Sequence, residues 1–218
     1  RTEPPLPRYA PIVPPPGGTA TPFRQPRLTM EVFEAVARAH GPAVELVVFG
    51  VRPEHAGWDE LPRGFPFKLA GTLGPRQMPM LLNEVDVFVD VSTWQGMGMT
   101  AMEAMACGAA VVVTREGGPP VFARHGENCL MVDPHDKGAC IAARDLLIRD
   151  GDLRRRLQAQ GRRDIPLWYP ERAAFNMLEA LFGPELDAAD RARAAAEAEA
   201  AGEADVARPL VVADGNRT

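Results

Sequence analysis

The 218-residue chain predicts an α/β fold, a parallel sheet covered by helices on both faces. Three observations carry that expectation. Short apolar runs at 46–49, 85–91, 110–113 and 129–132 alternate with segments of helical periodicity. Hydrophobic residues make up 46% of the chain, too many for a disordered polymer and enough for one domain of ordinary size. No stretch of about twenty residues escapes a charge or a Pro/Gly break, which excludes a membrane-spanning helix.

Residues 1–26 hold nine prolines, including Pro14-Pro15-Pro16 before Gly17-Gly18, and read as an extended or disordered lead-in. Met30, Val32, Phe33, Val36 and Ala37 then recur at helical spacing behind Thr29 as N-cap. After strand 46–49, a proline-rich loop (52–66) leads to a strand at 68–73 and a short helix at 78–83. Strand 85–91 follows, then a helix at 99–107 stopped by Gly108, and strands 110–113 and 129–132. Helices at 137–149, 152–163 and 171–181 complete the pattern, the last with Pro170 at its first position. The Ala/Glu run 187–207 reads as a solvated helix or as disordered. The expected organisation is therefore a lead-in (1–26), a globular domain (27–183) and an acidic tail (184–218).

The formal charge of −5 lies mostly in that tail, where residues 185–218 carry eight acids against four arginines. The near-neutral body offers no basic excess for nucleic acid. Three cysteines, Cys107, Cys129 and Cys140, form no CxxC pair and fit a reducing compartment, with Cys107 a buried, inert thiol. The chain opens at Arg1 without a basic-then-apolar leader and reads as a fragment.

One segment carries chemistry. Residues 90–108 place a glycine-bearing loop between a strand's carboxyl end and a helix's first turn. Gly96 and Gly98 let the backbone approach a ligand, and the helix start offers free N–H groups. Glu103, one turn inside, has two acceptor oxygens that match a vicinal diol such as a ribose edge. The same residues also fit a plain glycine turn with a solvated glutamate.

The segment resembles the donor-site motif of the group 1 (family 4) glycosyltransferases, in which two glutamates lie on either side of seven residues. Gln95 occupies the first glutamate position, Met97 that of a Phe, and Glu103-Ala104-Met105-Ala106-Cys107-Gly108 closes the motif. Gly117-Gly118-Pro119-Pro120 resembles the family's next substrate loop, residues 126–132 its trailing strand, and residues 152–157 its late helix. The likeness covers about residues 24–182.

The resemblance implies a Rossmann-like lobe of a two-lobed GT-B enzyme, which transfers a sugar from a nucleotide-diphosphate donor with retention. It implies no cofactor and no essential metal. Glu103 would hold the ribose, with Gln95 as the other catalytic position. Gly96, Met97, Gly98, Met99 and Thr100 would face the donor's phosphate and sugar, Gly71 and Leu73 its base. Gly117 and Gly118 would form the substrate loop, and Arg24 and Arg27 would clamp the diphosphate. The implied partners are a glycan or lipid-linked acceptor of polysaccharide biosynthesis and an N-terminal acceptor lobe or partner chain. The implied location is the cytoplasm, extending to the inner membrane face.

Three departures stand out. Gln95 is neutral and cannot act as general base. Val121 stands where a glutamate is usual. Residues 14–18 replace the strand and basic loop expected there.

Two other readings fit. Gly96-x-Gly98-x-x-Ala101, with Glu116 about one βα unit on, matches the dinucleotide fingerprint of an NAD(P)-dependent oxidoreductase, although the loop before Gly96 is long for its tight turn. A non-catalytic donor-binding subunit is the second. Asp133-Pro134-His135-Asp136 has metal-capable side chains but reads as a helix start, so no metal is expected. Trp94, beside the glycine loop, is expected in the core.

Overall fold

Six strands form one parallel sheet in this computed structural model, which describes residues 8–11, 21–55, 57–182, 190, 192–193 and 195–200. They are β1 (Arg8–Pro11), β2 (Glu45–Phe49), β3 (Lys68–Gly71), β4 (Val87–Asp90), β5 (Ala110–Thr114) and β6 (Leu130–Val132). Their spatial order is β3-β2-β1-β4-β5-β6, and every neighbouring pair is parallel. β4 and β5 are buried at every position, as central strands covered on both faces must be.

Side-chain alternation separates the two faces. Val87 and Val89 enter one core with Met30, Phe33 and Val36 of α2 (Pro26–His40) and with Cys140 and Leu147 of α5 (Lys137–Arg149). Phe88 points the other way and meets Phe49 at 6.3 Å between ring centroids. α4 (Met99–Ala106) packs against β4, β5, α3 (Gln77–Glu84) and α6 (Gly151–Asp164), and buries Ala101, Met102, Ala104 and Met105. The α2–α5 layer also encloses Arg144. It is fully buried, its guanidinium sits 4.0 Å from the Phe33 ring centroid, and none of its three side-chain nitrogens has a hydrogen-bond partner.

The proline-rich lead-in contains one of the two middle strands of the sheet. Tyr9 and Ala10 are 0% exposed, and β1 is paired on both edges. Composition alone reads the segment as an extended or disordered lead-in because Arg8–Pro11 is short and lies among prolines. Tertiary partners hold it: the Arg8 N–H donates to Asp86 Oδ2 at 2.8 Å, and its guanidinium pairs with Glu45 (2.9 Å) and Glu84 (2.5 Å). A strand, which the resemblance leads one to expect at residues 14–18, is therefore present at Arg8–Pro11, upstream of the Pro-Pro-Pro-Gly-Gly run, and residues 14–18 lie outside the described residues.

The cap of α2 also differs from expectation. Gln25, at φ 48° and ψ 55°, precedes Pro26 at the first helical position, and Thr29 lies inside the helix, its hydroxyl donating to the Gln25 carbonyl (3.0 Å). Strand β3 stops at Gly71, where φ is 71°.

The chain divides into two units at Asp164/Ile165, earlier than the expected end at residue 183. In the second unit a 3-10 turn, Ile165–Trp168, precedes α7 (Pro170–Phe182), of which no residue is buried. Of the acidic tail, residues 190, 192–193 and 195–200 are helical, and the remainder lies outside the described residues.

Candidate functional site

β1 and β4 lie side by side, while the chain continues to opposite halves of the sheet from each. The carboxyl ends of such a pair frame the crevice in which open α/β sheets take ligands. The loop 91–98 leaves β4 at this point, and the short helix α1 (Thr21–Arg24) and the start of α2 stand beside it.

Asp90, the last residue of β4, is 2% exposed. Its Oδ1 accepts from the Ser92 N–H (3.0 Å) and from the Ser92 hydroxyl, and its Oδ2 lies 3.4 Å from Arg24 Nη1. The same nitrogen is 3.4 Å from Oε1 of Gln95. Gln95 is only 4% exposed, and its Nε2 has no partner. Gln95, the other catalytic position that the resemblance implies, is thus packed inside and engaged with Arg24. Arg27, at the second position of α2, is exposed.

Gln25, between these arginines, has the only positive φ of any non-glycine residue described. Its amide donates to the carbonyls of Val91 (3.1 Å) and Pro134 (3.0 Å), pinning the start of α2 to the ends of β4 and β6. Sequence reasoning missed Asp90, Ser92 and Gln25. A carboxylate closing a buried strand two residues before a serine was the available signal for the first two.

The two glycine loops are joined. Gly118 donates its N–H to the Gln95 carbonyl at 3.0 Å. A Cβ on Gly118 would overlap the Gly96 carbonyl. One on Gly117, at φ 76°, would overlap the Gln95 carbonyl and lie 2.9 Å from its nitrogen. Met97 is half-buried between Gly96 and Gly98. Gly98, at φ 79°, caps α4, and its carbonyl accepts from Ala101 (3.0 Å) and Met102 (3.2 Å). Met99 and Thr100 therefore present first-turn amides beyond the reach of intrahelical acceptors.

Glu103 follows on α4 and is open to solvent. Partial desolvation still raises its carboxyl pKa above the ordinary value. Gly71 and Leu73 stand at the carboxyl end of the edge strand β3, two strands from β1, where Gly71 accepts from the Gly50 N–H at 2.8 Å. Val121 is 56% exposed in the turn Pro119–Val121.

The Asp-Pro-His-Asp run divides. Asp136 caps α5 by accepting from the Ala139 N–H at 2.9 Å, whereas Asp133 and His135 approach Glu116, with all three ligand atoms within 4.8 Å of one another. All three residues are exposed, as ordinary surface charges are. Cys107 is partly exposed rather than buried, whereas Cys129 is buried and its thiol pKa is pushed up to about 12 by desolvation. Trp94 is not in the core: it is 59% exposed.

The strand order, the glycine loop at its reversal point and the helix behind it define a Rossmann-like domain. Residues 18–150 match the family model described as "Glycosyl transferases group 1", and the chain belongs to that family. It is 37% identical over 122 residues to the lipopolysaccharide core biosynthesis glycosyltransferase LpsE of Rhizobium meliloti, covering 56% of this chain and 31% of that protein. It is 36% identical over 80 residues to D-inositol 3-phosphate glycosyltransferase of Corynebacterium jeikeium, covering 37% and 19%. The chain thus spans less than a third of the length of these relatives.

The fold agrees with the C-terminal domain of a group 1 glycosyl transferase, LpcC, from Francisella tularensis, with a TM-score of 0.62 and 21% identity over 73% of this chain and 86% of that one. It agrees equally with Anabaena HepE, solved with UDP and glucose, at a TM-score of 0.64 and 18% identity over 83% and 49%. The sheet is that of one GT-B lobe, as the motifs implied. The oxidoreductase reading gives way to this family, and its acid, Glu116, faces His135 at 3.4 Å. No helix among the described residues is long and apolar enough to cross a membrane.

Proposed function

We propose that this domain binds a nucleotide-diphosphate sugar for retaining transfer to a glycan or lipid-linked acceptor, with the acceptor lobe supplied by a further domain or partner chain. The observation that carries the reading is the joint between the two glycine loops. It fixes the loop that leads into α4, the helix that carries Glu103, and this loop also holds Gln95, whose side chain meets Arg24. In this reading amides and a guanidinium meet anions and the Glu103 carboxylate meets a diol. HepE, with the same fold, was solved with UDP and glucose, in keeping with this chemistry.

Gln95 is not the base in this reading. It is a neutral prop for Arg24, and the residues that touch the donor are the α4 amides, Glu103 and the two arginines. Gly71 and Leu73 line the base end. The charge of the diphosphate is met by arginine and helix amides, so no metal is required. The buried thiol of Cys129 suits the reducing cytoplasm, and a lipid-linked acceptor places the reaction at the inner membrane face.

Calorimetry of the chain with UDP, GDP, ADP and dTDP in EDTA tests the reading. Binding of at least one nucleotide, weakened by Glu103→Ala, is expected. Failure of all four overturns it, and binding only after metal is added removes the metal-free part.

A further inference from the structure

Two aromatic rings stand open at the crevice. Trp94 is 59% exposed and Phe23 is 50% exposed. They are nevertheless fixed in place. Their centroids lie 6.2 Å apart with the ring planes at 62°, an edge-to-face pair. Thr93 ties the two segments together by donating its N–H (2.6 Å) and its hydroxyl (3.1 Å) to the Phe23 carbonyl.

Each ring precedes one partner of the polar contact already described: Phe23 precedes Arg24, and Trp94 precedes Gln95. A paired aromatic surface thus borders a guanidinium and an amide whose buried Nε2 lacks an acceptor. Leaving two large rings in water forgoes burial free energy. A sugar ring matches this mixture, because its C–H face is drawn to the negative face of an aromatic ring while its hydroxyls need polar neighbours.

We propose that Trp94 and Phe23 form a platform for a pyranose ring. The proposal rests on the glycosyltransferase reading, and the ring belongs either to the donor's transferred sugar or to the acceptor.

The test uses the whole chain carrying Trp168→Phe, which removes the other exposed indole and leaves Trp58 buried. Methyl α-D-glucopyranoside, methyl α-L-rhamnopyranoside, UDP and UDP-glucose are the probes. Oxidation of Trp94 by N-bromosuccinimide, followed by mass spectrometry, is expected to slow at least about threefold when a sugar-bearing probe is present. Trp94→Ala is expected to weaken sugar binding by about fivefold while UDP binding stays within about twofold, and Trp94→Phe is expected to restore most of the loss.

A loss confined to UDP-glucose assigns the donor's sugar, and a loss confined to the free glycosides, with UDP present, assigns the acceptor's. If UDP does not bind but a glycoside still protects Trp94, the platform stands without the nucleotide reading. No protection by any sugar, or sugar binding unchanged in Trp94→Ala, overturns the platform. So does protection that follows self-association of the chain rather than added sugar.

Discussion

The backbone N–H of Gly118 donates to the carbonyl of Gln95 at 3.0 Å, in a gap too narrow for any side chain on the glycine. Gly118→Ala should therefore push the two loops apart, at a cost of about 1–3 kcal/mol. A thermal melt should show a lower midpoint, and nucleotide binding should weaken with it. A melt identical to that of the parent chain would contradict the tight joint.

Glu103 is expected to grip the ribose only as a carboxylate, because protonation removes one of its acceptor sites. Desolvation raises its pKa, so binding should begin to fade above the usual carboxylate range as the pH drops. Titrations with UDP from pH 8 to pH 5 should show this decline in the parent chain. Glu103→Gln, which cannot titrate, should bind less well at pH 8 and lose the part of the pH response that belongs to this side chain.

Arg24 is oriented by Asp90 and Gln95, and Arg27 is exposed on the first turn of α2. Arg24→Ala and Arg27→Ala should each weaken UDP by about tenfold and uridine by much less, since a charge-assisted bond to phosphate is absent from the nucleoside. Equal losses for both ligands would move the arginines away from the diphosphate.

Arg144 places a cation in the α2–α5 layer with a ring for company and no acceptor. Arg144→Met should stabilise the chain by about 1–2 kcal/mol, read as a higher melting midpoint. Burial pushes the Arg144 pKa down, the mark of the desolvation cost that the substitution removes.

The sequence disclosed the buried strands and the glycine loop, because continuous apolar runs and paired glycines are local signals. Strand β4, helix α4 and the start of α7 at Pro170 stand where periodicity and capping put them. It concealed β1, whose four residues gain their identity from Asp86, Glu45 and Glu84, far away in the chain. It misplaced Trp94, the neighbour of Gln95, for a related reason. Both follow a buried strand by a few residues, and only the packing of Phe23 and Arg24 from a separate segment decides which of the two faces water. The Asp90–Ser92 contact is short in sequence, yet its value in orienting Arg24 depends on that same distant segment.

The place of β1 in the middle of the sheet governs how the chain may be shortened. A version starting at residue 27, where composition alone puts the start of the globular domain, would remove the strand that joins β2 to β4 and with it Gln25, the clip on the start of α2. Two apolar strand edges would face each other across a missing partner, an invitation to pair with another molecule. The proline-rich beginning is the seam that closes the sheet, and expression boundaries belong before Arg8.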